Sequence, residues 1–274
     1  MVSSHGFDLE GGATVTASSA VSPSLMREWL SLAQRAAREA AAALRQGGLR
    51  EARATRHLER DVKISADRTA EKRILQCLRR DSDFPVLSEE CGAVPGAANG
   101  QPLQWIVDPL DGSVNYWRGL PWYGISVALW RGQEPLVGVV YDFLREELFA
   151  GIVGGGAWLN DVPIQVSETD HPSRAILCTG FPTGTAFTQT ALTTFVTQVQ
   201  SYKKVRIFGS AALSLCAVAA GRADAYLERD IKLWDVAAGL AIVLSAGGRI
   251  ARRASTVPHA LTVYAGNASL SPCL

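Results

Sequence analysis

The segment Trp105-Ile106-Val107-Asp108-Pro109-Leu110-Asp111-Gly112-Ser113-Val114-Asn115-Tyr116 decides how the rest of the chain is read. Its apolar opening, from Gln104 to Val107, has the character of a buried strand. Pro109 has no amide proton to give to a ladder, so strand pairing is expected to stop there. Asp108 would then close the strand and the Leu110 carbonyl would face a site. Gly112 permits a tight turn and Ser113 is a good helix cap, leaving the amides of Gly112, Ser113 and Val114 as an anion nest. Carboxylate oxygens beside such amides suit a place where a divalent cation meets a phosphate. Asp-Pro and Asp-Gly are also common turn dipeptides, and that plain reading requires no metal.

Downstream, strand-like runs follow at Gly124–Trp130, Pro135–Phe143, Glu147–Val153 and Val162–Val166. Their tight connections predict an antiparallel meander. The run Gly154-Gly155-Gly156 lacks the Lys-Ser/Thr ending of a phosphate loop and reads as a hairpin turn. Upstream, Leu25, Trp29, Leu32, Ala36, Ala40 and Leu44 recur at helical spacing behind the Ser22-Pro23 start. A second helix is expected from about Asp67 to Arg80, then a short strand Val86–Ser88 ending at Glu89-Glu90. After Ser167 strands (175–179, 205–208, 223–227, 261–265) alternate with helices (188–201, from Gly209-Ser210 through 219, and 233–245), which predicts a second, mixed sheet. The expected organisation is a flexible tail over 1–21, an N-terminal α+β domain over 22–170 carrying the metal and phosphate site, and a C-terminal α/β domain over 171–274.

Lys plus Arg (27) nearly balance Asp plus Glu (26), so no overall field points to a nucleic-acid polymer or a membrane surface as partner. The five cysteines are scattered and the four histidines unpaired, against a disulfide framework or zinc and for a reducing, cytoplasmic setting. No apolar run reaches the ~18 residues of a membrane span.

Asp67, Glu89, Asp108, Asp111 and Asp235 all fall at element ends, where functional groups are displayed. Singly, each has a plainer explanation, such as a helix cap for Asp67 and Asp235 and solvated surface for Glu89. Together they would be untenable without cations, since two carboxylates ~4 Å apart repel by roughly 4 kcal/mol at an effective dielectric of 20. Oxygen-only ligands select Mg²⁺ or Mn²⁺.

Asp108-Pro-Leu-Asp111-Gly-Ser-Val-Asn115-Tyr resembles the D-P-I/L-D-G-T/S-x-N-F/Y signature of the inositol monophosphatase family, the Mg²⁺-dependent, lithium-sensitive phosphatases. Trp234-Asp235-Val-Ala-Ala-Gly-Leu, followed by Ala246-Gly247-Gly248, is similar to its second signature. Ser65-Ala-Asp67, Ser88-Glu89-Glu90, Gly209-Ser210-Ala211-Ala212 and Asp224-Ala-Tyr226-Leu-Glu228 fall in family order. The resemblance covers residues 25 to 266.

It implies the layered α-β-α-β-α sandwich of sugar phosphatases, a homodimer, and hydrolysis of a small polyol or sugar phosphate with two to three Mg²⁺, or Mn²⁺, per site. Glu89, Asp108, the Leu110 carbonyl, Asp111, Asp235 and Asp67 would hold the metals. Asp111 with the amides of Gly112 and Ser113 would bind phosphate. Glu89, the Ser113 hydroxyl and Asp67 would be catalytic, with attack in line and no covalent intermediate. Gly209, Ser210, Ala211, Glu228, Lys232, Asp235 and Arg56 would face the substrate. Lys63-Ile64 stands where the family reads Val-Thr, which bears on the number of metals. Other expected substrates are a 3′(2′),5′-bisphosphate nucleotide, histidinol phosphate or fructose bisphosphate, and the non-enzyme alternative is a regulatory binding protein.

Overall fold

The computed structural model of the chain describes residues 21–47, 54–58, 61–97, 102–181 and 187–270, with backbone alone at 54–58 and 61–64. The expected tail over 1–21 lies outside these residues except for Val21. Helix α1 (Pro23–Gly47) buries Met26, Ala33, Ala36, Ala37, Ala40, Ala41 and Leu44 on one face. That run of alanines lets its backbone sit close to its neighbours. A hairpin of β1 (Ala54–Leu58) and β2 (Asp61–Ile64), which the sequence pattern did not announce, leads into α2 (Ser65–Asp81). Helix α2 starts two residues earlier than expected, so Asp67 lies inside the first turn, 3% exposed, rather than capping it.

The first sheet contains β3 (Val86–Ser88), β4 (Gly92–Val94), β5 (Leu103–Asp111) and, after the short helix α3 (Ser113–Arg118), β6 (Gly124–Arg131). It continues with β7 (Glu134–Asp142), β8 (Glu147–Ile152), β9 (Gly156–Leu159) and β10 (Val162–Pro163). The spatial order is β10-β9-β8-β7-β6-β5-β3-β4. The expected meander is present from β5 to β10, with Gly154–Gly156 turning β8 into β9. Among the described residues the one parallel pairing in this sheet is β3 with β5. Strands β5 to β8 are buried along almost their whole length because helices cover both faces, so they read as apolar runs rather than as alternation.

The second sheet holds β11 (Ile176–Cys178), β12 (Lys204–Arg206), β13 (Ala225–Lys232), β14 (Arg249–Ala254) and β15 (Ala260–Gly266) in the order β12-β11-β13-β15-β14. It is mixed, as expected, with β11 parallel to β12 and β13 and the rest antiparallel. Strand β14 was not expected. Its sequence RIARRA is charged because it forms an open edge, where basic side chains discourage further pairing.

Helices α5 (Ala211–Ala219) and α6 (Leu233–Ser245) lie between the two sheets, and α4 (Gln189–Val199) covers the outer face of the second, where Val199 packs with Leu177, Leu227 and Tyr264. The layering is α-β-α-β-α. One core cluster joins Ile106, Trp130, Val140 and Phe149 of the first sheet to Tyr226 and Val263 of the second through α5 and α6. The small residues of the second signature serve this packing: a Cβ on Gly239 would come within 2.5 Å of Leu215 Cβ. Among the described residues no helix is long and apolar enough to cross a membrane.

Candidate active site

Strand β5 does not stop at Pro109. It runs to Asp111, with the β5–β6 register shifting between the pairs Asp108–Ser126 and Asp111–Gly124. The proline is accommodated by this bulge, which leaves Pro109 and Leu110 outside the register. The Leu110 amide instead donates to Asp108 Oδ1 at 2.9 Å. Ser113 is also not the cap expected of it. Gly112, at φ 85°, is the N-cap of α3, and Ser113 is its first residue. Only glycine fits there, because a Cβ would come within 2.7 Å of the Trp122 carbonyl.

Glu89 reaches Asp108 through the parallel pairing of β3 with β5, which continues as a bond from the Glu89 amide to the Val107 carbonyl (3.2 Å). The turn that follows is fixed from beneath by Glu71, a residue the sequence reading passed over. Its buried Oε1 accepts from Ser88 Oγ at 2.5 Å and from the Cys91 amide at 3.0 Å. An acid one helical turn after Asp67 was the only available sign of it.

Asp235 arrives from the other half of the chain. Lys232 is the N-cap of α6, so Asp235 lies in the first turn rather than capping it. Ser126, the ladder partner of Asp108, donates to the Trp234 carbonyl at 3.4 Å, and Trp130 Nε1 donates to the Ala237 carbonyl at 3.2 Å. These bonds hold the start of α6 against β6. The outcome is one group among the described residues, Glu89, Asp108 and Asp235, whose candidate ligand oxygens all lie within 4.8 Å of one another.

Asp111 and Asp67 are not members of that three-residue group. The Asp111 carboxylate is turned to α5, where Oδ2 accepts from Ser210 Oγ at 2.5 Å and from the Ala212 amide at 2.8 Å. Burial pushes the Asp111 carboxyl up to about 6; those two hydrogen bonds oppose the shift and Glu89 adds to it. Asp108 rises well above the carboxylate range, first through burial, then through the negative charges of Glu89, Asp111 and Asp235. Burial and like charge oppose full ionisation of this cluster, so the donor set fits a hard divalent ion.

The residues expected to face the substrate differ in their commitments. Ser210 is 4% exposed, and its hydroxyl, which donates to Asp111, also accepts from the Leu213 amide at 3.2 Å as the α5 cap. It therefore also supports Asp111. Gly209, at φ 74°, lies against Asn115, another residue the sequence reading left without a role, and Ala211 is buried in α5. Glu228 is 7% exposed, accepts from the Tyr226 hydroxyl at 2.8 Å, and is pushed up to about 7 by burial. Lys232 does not reach out freely: its ammonium donates to the Pro258 carbonyl at 2.9 Å. The side chains of Arg56, Asp61, Lys63 and Ile64 lie outside the described residues.

Two sheets in this layered arrangement, with acids gathered from the turn after β3, from β5 and from α6, define a sugar-phosphatase type of fold. Residues 25–271 match the profile of the inositol monophosphatase family, and the chain belongs to that family. The Nus factor SuhB of Pasteurella multocida is 38% identical over 82% of this chain and 85% of its own. An inositol-1-monophosphatase of Synechocystis is 42% identical over 69% of this chain and 66% of its own. The solved inositol monophosphatase from Anabaena superposes with a TM-score of 0.75 at 35% identity, covering 89% of this chain and 92% of that one. The Bartonella henselae SuhB structure gives 0.79 at 30% identity, covering 88% and 95%.

Proposed function

We propose that this protein is a Mg²⁺-dependent phosphoric monoester hydrolase acting on the phosphate ester of a small polyol or sugar. The observation that carries the reading is the meeting of Glu89, Asp108 and Asp235, from three separate elements, within 4.8 Å. In this reading these three hold two to three metals together with the Leu110 carbonyl, Asp111 and Asp67. A divalent ion bound there would supply Lewis-acid polarisation of phosphate oxygens and of water. The amides of Gly112 and Ser113 bind the phosphate at the start of α3. Glu89 and the Ser113 hydroxyl orient the attacking water, and Glu89 accepts its proton. Glu228 meets the alcohol portion from beside Gly180, where a Cβ would come within 2.7 Å of its carboxylate. Lithium inhibition and a homodimer belong to the same proposal.

The reading is tested by phosphate release from a panel of inositol, sugar, histidinol, nucleotide 3′- and fructose phosphates with Mg²⁺, repeated with Li⁺. Release from a polyol or sugar monophosphate that needs Mg²⁺ and falls with Li⁺ is expected. A regulatory binding role is favoured by the relatives named Nus factor. It would displace the hydrolase reading if none of the panel were turned over by protein that still bound Mg²⁺.

A further inference from the structure

The two halves of the chain cross at the start of α3, and Asn115 stands at the crossing. It belongs to the first turn of that helix, is 8% exposed, and through its own carbonyl accepts from the Leu120 amide at 2.8 Å. Its Nδ2 donates to the Trp122 carbonyl at 2.7 Å and to the Phe208 carbonyl at 2.8 Å, with the Gly209 carbonyl at 3.3 Å. A carboxamide has two protons to give, so these three acceptors use its donor capacity in full. Three carbonyl oxygens converging on one point repel unless a donor lies between them, and the Asn115 amide is that donor.

The same carbonyls bear on the turn that carries the Gly112 and Ser113 amides. A Cβ on Gly112 would come within 2.7 Å of the Trp122 carbonyl oxygen and 3.3 Å of the Gly209 carbonyl oxygen. Two of the three groups held by Asn115 are therefore the ones against which Gly112 rests. Gly112 and Gly209, at φ 85° and 74°, both take the left-handed conformation, and a Cβ on Gly209 would lie 3.0 Å from Asn115 Nδ2. Four residues before Asn115, Asp111 is fastened to the same distant segment through Ser210 and the Ala212 amide. Asp111 and Asn115 thus bracket Gly112 and Ser113, each tied to the stretch 208–212.

We infer that Asn115 is a positioning residue for phosphate binding. Its amide sets where the Gly112 and Ser113 amides lie relative to the stretch 208–212, and so where the phosphate sits relative to its alcohol. The inference rests on the phosphate role given to those two amides in the hydrolase reading. Loss of the Asn115 amide should weaken phosphate binding and leave Mg²⁺ binding in place, since Glu89, Asp108 and Asp235 are placed by the turn after β3, by β5 and by α6 rather than by α3.

The test is calorimetric titration of the full-length chain with Mg²⁺, and of the Mg²⁺-loaded chain with inorganic phosphate, beside release of phosphate from glycerol 2-phosphate. Wild type, Asn115→Ala and Asn115→Asp are compared. Phosphate affinity should fall by about tenfold or more in Asn115→Ala. Asn115→Asp keeps the shape but sets a carboxylate against the three carbonyls, and should lose at least as much. Turnover should fall by about a hundredfold, the size expected when a reacting group is misplaced by ~1 Å, while Mg²⁺ affinity stays at the wild-type value. Gly209→Ala crowds the same amide from the other side, so it should also weaken phosphate binding, and the double variant with Asn115→Ala should lose little more than either single one. Gly209→Ala decides the matter alone should circular dichroism show the Asn115 variants unfolded. The inference is overturned if an Asn115 variant or Gly209→Ala binds phosphate as the wild type does. It is also overturned if Mg²⁺ affinity falls as steeply as phosphate affinity, which would make Asn115 a general support of the fold. A wild type that binds phosphate with Mg²⁺ but releases none from any ester would sink the hydrolase reading alone, because calorimetry still decides the comparison at Asn115.

Discussion

On one side of the site Glu89, Asp108 and Asp235 converge, and burial and like charge press Asp108 well above its ordinary ionisation. On the other side Ser210, Glu228 and Lys232 already hold partners within the fold, in Asp111, Tyr226 and the Pro258 carbonyl. The first region is incomplete electrostatically, and in the proposed reading a cation completes it. The second is satisfied as it stands, so in the proposed reading it would select a substrate by shape and by the few lone pairs left over. Reaction chemistry and specificity therefore rest on opposite kinds of arrangement.

The most forceful way to break this contrast is Asp108→Asn. Phosphate release should fall by about a thousandfold or more, as expected when a principal electrostatic contributor is removed. In chelator the same variant should melt at a higher temperature than the wild type, because a buried acid whose ionisation conflicts with three neighbouring carboxylates is gone. A lower melting temperature in chelator would mean that the acids are not in conflict.

Glu71→Gln is the next largest test. The amide keeps the volume but weakens the hold on Ser88 and the Cys91 amide, so Glu89 loses its fixed position. Metal affinity or turnover should drop by about 10- to 100-fold, the usual size for a group that orients a metal ligand. Mg²⁺ titration of activity checks it.

Gly180→Ala probes the satisfied side. Its new Cβ would crowd the Glu228 carboxylate, so substrate ranking and KM should change by about tenfold or less while Mg²⁺ affinity stays at the wild-type value. A large loss of Mg²⁺ affinity would show that the two sides are not separable.

A separate effect is in stability. Glu228 moves from an ordinary 4.5 to about 7 in the folded chain, so the fold holds a proton that the unfolded chain releases. Its contribution is fully present below about pH 4.5 and is lost as pH rises through about 7, on the order of 3 kcal/mol in all. Urea unfolding in chelator across this window should show the decline in the wild type and a flatter profile in Glu228→Gln.

Much of the site was legible because its signals are local. An Asp-Pro pair, a short strand ending in Glu-Glu and an Asp after a Trp at a helix start each mark a backbone event, and all three acids of the close group were named from such marks. The misreadings were equally local. Pro109 ends a strand by rule, yet a bulge let β5 continue. Ser113 caps helices well, yet the left-handed turn gave that place to Gly112. For Ser210, expected on the substrate side, nothing in its own neighbourhood shows that Asp111, 99 positions away, also takes its hydroxyl.

The amino-acid order alone determined the family signatures, the alternation of elements and the excess of carboxylates at their ends, since these depend on residues within a few positions of each other. Only tertiary structure decided that β3 lies parallel to β5 so that Glu89 meets Asp108, that Ser126 ties α6 to the same place, and that Glu71 supports the turn. It also decided that the Asn115 amide reaches the Phe208 and Gly209 carbonyls, 93 and 94 positions away. The reason is physical. Local sequence restricts φ and ψ and the period of burial, whereas the partner of a charged side chain is set by which distant segments share a sheet or a helix face.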